Sequence, residues 1–309
     1  MLVADVPKVT VDIAPVHSLV SKVMNGVGKP DLIIPAGASP HEYQLKPSNA
    51  QSLEDADIVF WIGEDLTPWL EKGLSSLAQD ASITSLLGVD GIELLSFREG
   101  ALFEAHDHDD HDDHGKKKHD DHDDHDDHDD HDDHEGHAHG EYDPHAWLSP
   151  QIAKVWLNVI AAKLSEMDPD NAAKYFSNAK SARDNVDSLV SEVNSILDPM
   201  RDKKFVVFHD AYQYFEKDFG ISASGAISLG DASDPSPARL AEIRKRVVDE
   251  AVECVLAEPQ YKQGLVKAVV EGTNANTAVI DPLGVKLESG PNLYENLIRN
   301  LATNLAKCF

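Results

Sequence analysis

The chain has 309 residues, of which 41% are hydrophobic, and its formal net charge is −28. That length holds one large domain or two of ordinary size, with enough apolar side chains to fill real cores. So acidic a chain is no partner for nucleic acid, and no apolar run approaches the ~20 residues that a membrane-spanning helix needs.

The charge is uneven. Residues 106–139 carry 16 acidic residues against three lysines, which leaves 15 of the 28 net negative charges on the rest of the chain. The first residues, Met-Leu-Val-Ala-Asp-Val-Pro, lack the basic and apolar regions of a signal peptide. The expectation is a mature form whose signal has been removed and a start Met supplied; the alternative is a cytoplasmic protein.

In chain order, residues 9–15 read as an apolar strand, 16–27 as a helix and 31–35 as a short strand before the turn-rich Ala-Gly-Ala-Ser-Pro. Residues 47–56 read as a helix, 57–63 as a strand, 67–77 as a helix and 83–87 as another short strand. This alternation points to a parallel sheet with helices on both faces. The segment 106–139 interrupts it. Between His119 and His134 it repeats Asp-Asp-His with period three, a composition that buries too little apolar surface to offset the entropy of ordering, so a disordered surface loop is expected.

A helix over 149–166 follows, and Asp168-Pro169 has the form of an N-cap and a first-turn proline. Ala172, Tyr175, Ala179, Ala182, Val186, Leu189, Val193 and Ile196 then recur at spacings of three and four, a single narrow seam on one long helix that Asp198-Pro199 ends. Such a helix runs roughly 45 Å and is expected to be a rigid spine between two lobes. Beyond it the alternation restarts, with strands over 204–208, 222–227, 254–257 and 278–280 and helices over 211–219, 237–250, 263–272 and 292–307. The expected fold class is α/β: two similar lobes, each a parallel sheet flanked by helices, joined by one long helix. The divisions are 1–168 for the N-terminal lobe, 169–199 for the linker helix and 200–309 for the C-terminal lobe.

Of 16 histidines, twelve lie in the acidic segment: His106, His108, His111, His114, His119, His122, His125, His128, His131, His134, His137 and His139. Four remain. His17 reads as a satisfied core or capping residue. His41 lies just past the strand ending at Pro35, His209 follows the strand at 204–208, and His145 precedes a helix. Asp281 also follows a strand end, although an Asp before Pro can simply shape a turn. Ligands of open α/β sheets bind beyond the carboxyl ends of the strands, so these four side chains point to one edge, two from each lobe. Three imidazoles and a carboxylate suit four-coordinate Zn²⁺, while imidazole alone does not exclude Cu, Ni or Fe. The two cysteines, Cys254 and Cys308, are an even pair that suggests one disulfide, with two inert buried thiols as the alternative.

Four stretches carry a resemblance. Pro-Ala-Gly-Ala-Ser-Pro-His-Glu-Tyr-Gln-Leu-Lys-Pro-Ser (35–48), Asp-Pro-His-Ala-Trp-Leu-Ser-Pro (143–150), Phe-His-Asp-Ala-Tyr (208–212) and Ile-Asp-Pro-Leu-Gly (280–284) resemble, in order, the signatures of metal-binding substrate-binding proteins of ABC transporters. The match is closest to the zinc-uptake, ZnuA-like type and spans nearly the whole chain. The resemblance implies a periplasmic or lipid-anchored location, two lobes joined by a long helix, delivery to a membrane permease and a Cys254–Cys308 disulfide. A monomeric carrier with no catalytic role is expected. Manganese-binding relatives place a Glu where this chain has His209, which favours zinc. Some zinc members have a Glu immediately before the first ligand histidine; here that residue is Pro40, which leaves Asp281 or a water as the fourth ligand. The histidine-rich loop is expected to collect or buffer zinc at weaker sites. Rival readings are a zinc buffer or chaperone without a transporter, a nickel or manganese carrier, and a metallohydrolase using Glu42 or Glu258 as general base.

Overall fold

A computed structural model describes residues 6–35, 37–98, 103, 142–228 and 235–309. The acidic segment 106–139 and its twelve histidines lie outside the described residues.

The first half runs β1 (Val9–Val11), α1 (Ala14–Val23), β2 (Asp31–Leu32), α2 (Pro47–Glu54), β3 (Ile58–Trp61), α3 (Pro68–Leu77) and β4 (Ser82–Ser85). Two helices follow, α4 (Pro150–Met167) and α5 (Ala172–Leu197). The second half runs β5 (Phe205–His209), α6 (Gln213–Phe219), β6 (Ala226–Ser228), α7 (Pro237–Asp249), β7 (Cys254–Ala257), α8 (Gln263–Val270), β8 (Asn276–Val279) and α9 (Leu293–Ala306). The strands form two four-stranded sheets, ordered β2-β1-β3-β4 and β6-β5-β7-β8, and every pairing is parallel. The two halves thus share one topology, and the expected pair of similar parallel-sheet lobes is what the chain forms.

Local chemistry explains the boundaries. The central strands β1, β3, β5 and β7 are buried at every residue, as the continuous apolar runs of a sheet covered on both faces require. Proline stands in the first turn of α1, α2, α3, α4 and α7, where the missing N–H costs no hydrogen bond. Ser149 and Ser236 cap α4 and α7 by accepting from Ile152 N and Arg239 N. Gly220 ends α6 in the left-handed region, φ 63°.

Helix α5 is the spine. Its 26 residues span about 39 Å. Tyr175, Ala179, Ala182, Val186, Leu189, Val193 and Leu197 are all buried along one stripe. The seam ends on Leu197 rather than Ile196, which is half-buried. The helix start also differs from expectation. Pro169–Asn171 form a separate 3₁₀ turn, and α5 begins at Ala172. Asp168 does not cap it. Its buried carboxylate accepts from Asn171 Nδ2 and from the Tyr175 hydroxyl, both at 2.8 Å, because a phenol buried in the seam needs a partner.

One apolar cluster runs without a break from Val11, Leu19 and Phe60 through Trp156 and Val186 to Phe205, Leu256 and Leu297. A smaller one fills the far side of the second sheet beneath α7 and α8. Helix α9 packs on α1 and α5 as well as beside β8. There Tyr294 N donates to Ser18 Oγ (3.0 Å), and Lys22 pairs with Glu295 at 2.7 Å. Cys254 and Cys308 are bonded, which staples the end of α9 to the start of β7.

That disulfide closes a loop of sequence separation 54. Chain-entropy arithmetic assigns such a loop about 4 kcal/mol of stability. Replacing both cysteines by Ala is expected to lower the unfolding free energy by up to that amount, measured as the denaturant midpoint; an unchanged midpoint under matched conditions contradicts the assignment.

Candidate metal centre

The strand ends bring three histidines together. His41 sits in the loop after β2 and is half-buried. The loop is held from outside: Trp69 Nε1 donates to Pro40 O (2.7 Å), the Tyr43 hydroxyl to Asn49 Oδ1 (3.0 Å), and Asn49 Nδ2 to Ile33 O (2.9 Å). His145 lies at the start of a short 3₁₀ turn before α4, and His209 is the last residue of β5; each is only 4% exposed. Ring centroids stand 5.6 Å apart for His41 and His145 and 5.3 Å for His145 and His209.

Two of the rings are aimed by buried carboxylates. The Nδ1–H of His145 donates to Asp143 Oδ1 at 2.7 Å, and that oxygen also takes the His145 backbone N–H at 2.9 Å. The Nδ1–H of His209 donates to Glu258 Oε1 at 2.7 Å. A carboxylate at Nδ1 fixes the tautomer, so Nε2 carries the lone pair of each ring. Both acids are 1% exposed. Burial pushes the Asp143 carboxyl up, but the electrostatic attraction and hydrogen bonds of the His145 N–H groups, with a bond from Gln213, outweigh it and hold the group below its usual value. Tyr212, fully buried beside His209, is driven well above the usual phenol range, first by burial and then by Glu258 and Asp281.

Apolar walls complete the site. Trp147 lies 5.1 Å from the His145 ring and donates Nε1–H to Pro282 O at 2.8 Å, tying the first half to the turn after β8. Tyr261 stacks on Phe208 at 4.3 Å and stands edge-on to His209 at 5.5 Å. The cavity that the three histidines line with Trp147, Glu258 and Tyr261 measures about 20 Å³. That is room for one ion or one water. A larger groove of about 720 Å³ runs between α4, α5 and α6 but contains no histidine, and its Lys154 and Lys217 are paired with Asp187 and Glu93. Among the described residues no three His, Cys, Asp or Glu side chains stand close enough together to hold a metal ion between them.

Asp281 stands next to this cavity rather than in its lining. Its Oδ1 accepts from Leu283 N and Gly284 N, both at 3.0 Å, and from Gln260 Nε2 at 3.4 Å; its Oδ2 accepts from Val285 N at 2.6 Å. It closes the Asp-Pro-Leu-Gly turn whose Leu283 faces the histidines. His17 lies elsewhere. Its Nε2 bonds to Pro30 O at 3.1 Å, and burial lowers its basicity. The twelve histidines of 106–139 are outside the described residues.

Sequence reasoning passed over the two positioning acids. Asp143 was visible two residues before His145. Glu258 was visible only as a possible base, although it follows β7, the strand paired with β5, and so stands level with His209. The same reasoning missed Arg98, whose guanidinium joins Asp210 and Glu216. Burial raises the Asp210 carboxyl, and Arg98 partly offsets that.

Known proteins resemble this chain along nearly its whole length. Residues 9–308 match the family model of ZnuA, zinc-uptake complex component A, periplasmic. The high-affinity zinc uptake system protein ZnuA of Brucella abortus (strain 2308) is 50% identical over 303 residues, covering 97% of this chain and 91% of that protein. The protein of the same name from Paracoccus denitrificans (strain Pd 1222) is 47% identical over 306 residues, covering 99% and 92%. A crystal structure of ZnuA shares the fold, with TM-score 0.77 at 22% identity over 98% of this chain and 99% of that one. Matched along nearly its whole length by both the family model and its relatives, the chain belongs to the ZnuA family of periplasmic zinc-uptake components.

Proposed function

We propose that this protein captures Zn²⁺ in the periplasm, in the cleft between its halves, and delivers it to the membrane permease of an ABC importer. The observation that carries the reading is the pair of carboxylate-backed imidazoles, His145 with Asp143 and His209 with Glu258, facing a third imidazole across a cavity of one ion's size. Such backing orients a metal-binding ring and raises its basicity. Nitrogen-rich, four-coordinate ligation suits zinc better than manganese or magnesium, which call for more oxygen. The relatives from Brucella and Paracoccus are themselves high-affinity zinc uptake proteins.

His41, His145 and His209 are the ligands in this reading. Asp281 supplies the fourth through Oδ2, whose single bond to Val285 N leaves it a lone pair. The ion is cargo, not cofactor. The acids named for a hydrolytic base are badly placed for that work, since Glu42 is exposed and Glu258 is engaged with His209. Among the described residues no helix is long and apolar enough to cross a membrane. The twelve histidines of 106–139 serve as an accessory collector or buffer, each site weaker than the cleft because a flexible ligand set pays ordering entropy on binding.

Zinc titration of the full chain beside a version lacking 106–139 is expected to leave one tight ion in both and to lose only the weaker ones; disappearance of the tight site with the segment overturns the cleft assignment. In chelator competition, H145A and H209A each abolish tight binding, whereas D143N and E258Q weaken it by roughly 10- to 100-fold. D281N weakens it as well, and wild-type affinity in that variant hands the fourth position to solvent. Lowering the pH from 7.5 to 5 raises the proton concentration that competes with the metal for imidazole nitrogen, so affinity falls; an affinity flat across that range rules out imidazole ligation.

A further inference from the structure

Arg98 lies after β4 in the first half, yet its guanidinium is built into the second. Its Nε donates to both oxygens of Asp210 at 3.0 Å, and Nη2 donates to Asp210 Oδ1 as well. The same group takes Glu216, on α6, in a fork: Nη1 to Oε2 at 2.8 Å and Nη2 to Oε1 at 3.1 Å. The Phe103 ring covers it, 3.7 Å from the guanidinium carbon. Asp210 and Glu216 are 4% and 5% exposed.

Two features set this cluster apart from an ordinary ion pair. First, Asp210 is the residue after His209, and Ala211 N turns back onto His209 O at 2.9 Å, so displacing Asp210 displaces the end of β5. Asp143 bears on Asp210 as a like charge, so without Arg98 buried acids face one another uncompensated. Second, the chain around Arg98 does not need the guanidinium to stay in place. Leu95 N donates to the Tyr214 hydroxyl (3.0 Å), Asp143 N to Leu95 O (2.8 Å) and Gln213 Nε2 to Ser96 O (3.0 Å), while Ser96 bridges Tyr142. The stem is tied already, and the charge is spent beside His209.

We infer that Arg98 is a positioning residue for metal capture: through Asp210 it holds His209, at the end of β5, in register with His145 and His41. The inference rests on the cleft reading above. Arg98 touches no ion. It supplies the counter-charge that lets acids pack against the two imidazole elements, and it does so from the opposite half of the chain, so the placement of His209 answers to a group on the first half.

A double-mutant cycle on the full chain tests this, with zinc affinity read by chelator competition and ligand geometry read from the visible spectrum of bound Co²⁺. Variants are R98Q, D210N, R98Q/D210N and H209A, each measured at a temperature where its melting curve shows it folded. R98Q is expected to bind zinc about tenfold more weakly, the lower end of what losing a ligand's outer partner costs, and to shift the Co²⁺ bands. The double variant is expected to be no weaker than the weaker single one, because both act on one element. If R98Q does not fold, R98K replaces it; a point charge cannot span both carboxylates, and weaker binding is again expected. Wild-type affinity and spectrum in a folded Arg98 variant overturn the inference and leave a structural latch, and so do additive effects in the cycle. Tight zinc retained by H209A instead sinks the cleft reading itself, a failure that the wild-type and H209A arms show without reference to Arg98.

Discussion

The buried stripe of α5 is the constraint on which the rest depends. Seven side chains from Tyr175 to Leu197 face inward along about 33 Å, and helices from both halves pack on them. The proposed metal centre takes imidazoles from both halves, so it works only if the distance between those halves is set to within a fraction of an ångström. A loop linker leaves that distance to chance. A helix committed to the core along one whole face does not, and the bonds from Trp147 to Pro282 and from Tyr294 to Ser18 fix it further at two separate places.

Within that frame the chemistry is a problem of placing charge. Around His145 and His209 the fold buries Asp143, Glu258, Asp210 and Glu216, and it answers them with two imidazole N–H groups and one guanidinium. Each of these acids has a side-chain N–H partner that holds it in place. Asp12 shows what happens otherwise. It is fully buried at the end of β1, accepts from the amides of Ile13 and Ile62, and burial raises its carboxyl to about 7.

Much of this was legible in the residues. The strand and helix order, the seam of α5 and the histidines past the strand ends follow from period, proline placement and the rule that open sheets bind ligands at their carboxyl edge. What escaped depended on contacts between elements distant in sequence. Asp168 looked like a cap because an Asp before Pro often is one; only the buried Tyr175 hydroxyl, seven residues on, explains why its carboxylate turns away. Glu258 meets His209 across 49 residues, and Arg98 meets Asp210 across 112. Neither separation carries a periodic signal. Asp281 was visible as a residue, but its engagement with three backbone amides of its own turn was not.

The unbroken core has a consequence for how the molecule comes apart. The same apolar cluster holds Leu19 of α1, Val186 of α5, Phe205 of β5 and Leu297 of α9, and a disulfide closes α9 onto β7. Neither sheet can lose its packing without stripping α5 or α9 from the other. Two lobes of one topology are therefore expected to melt as a single cooperative unit, and a cut after either end of α5 leaves a fragment with a long apolar seam facing water.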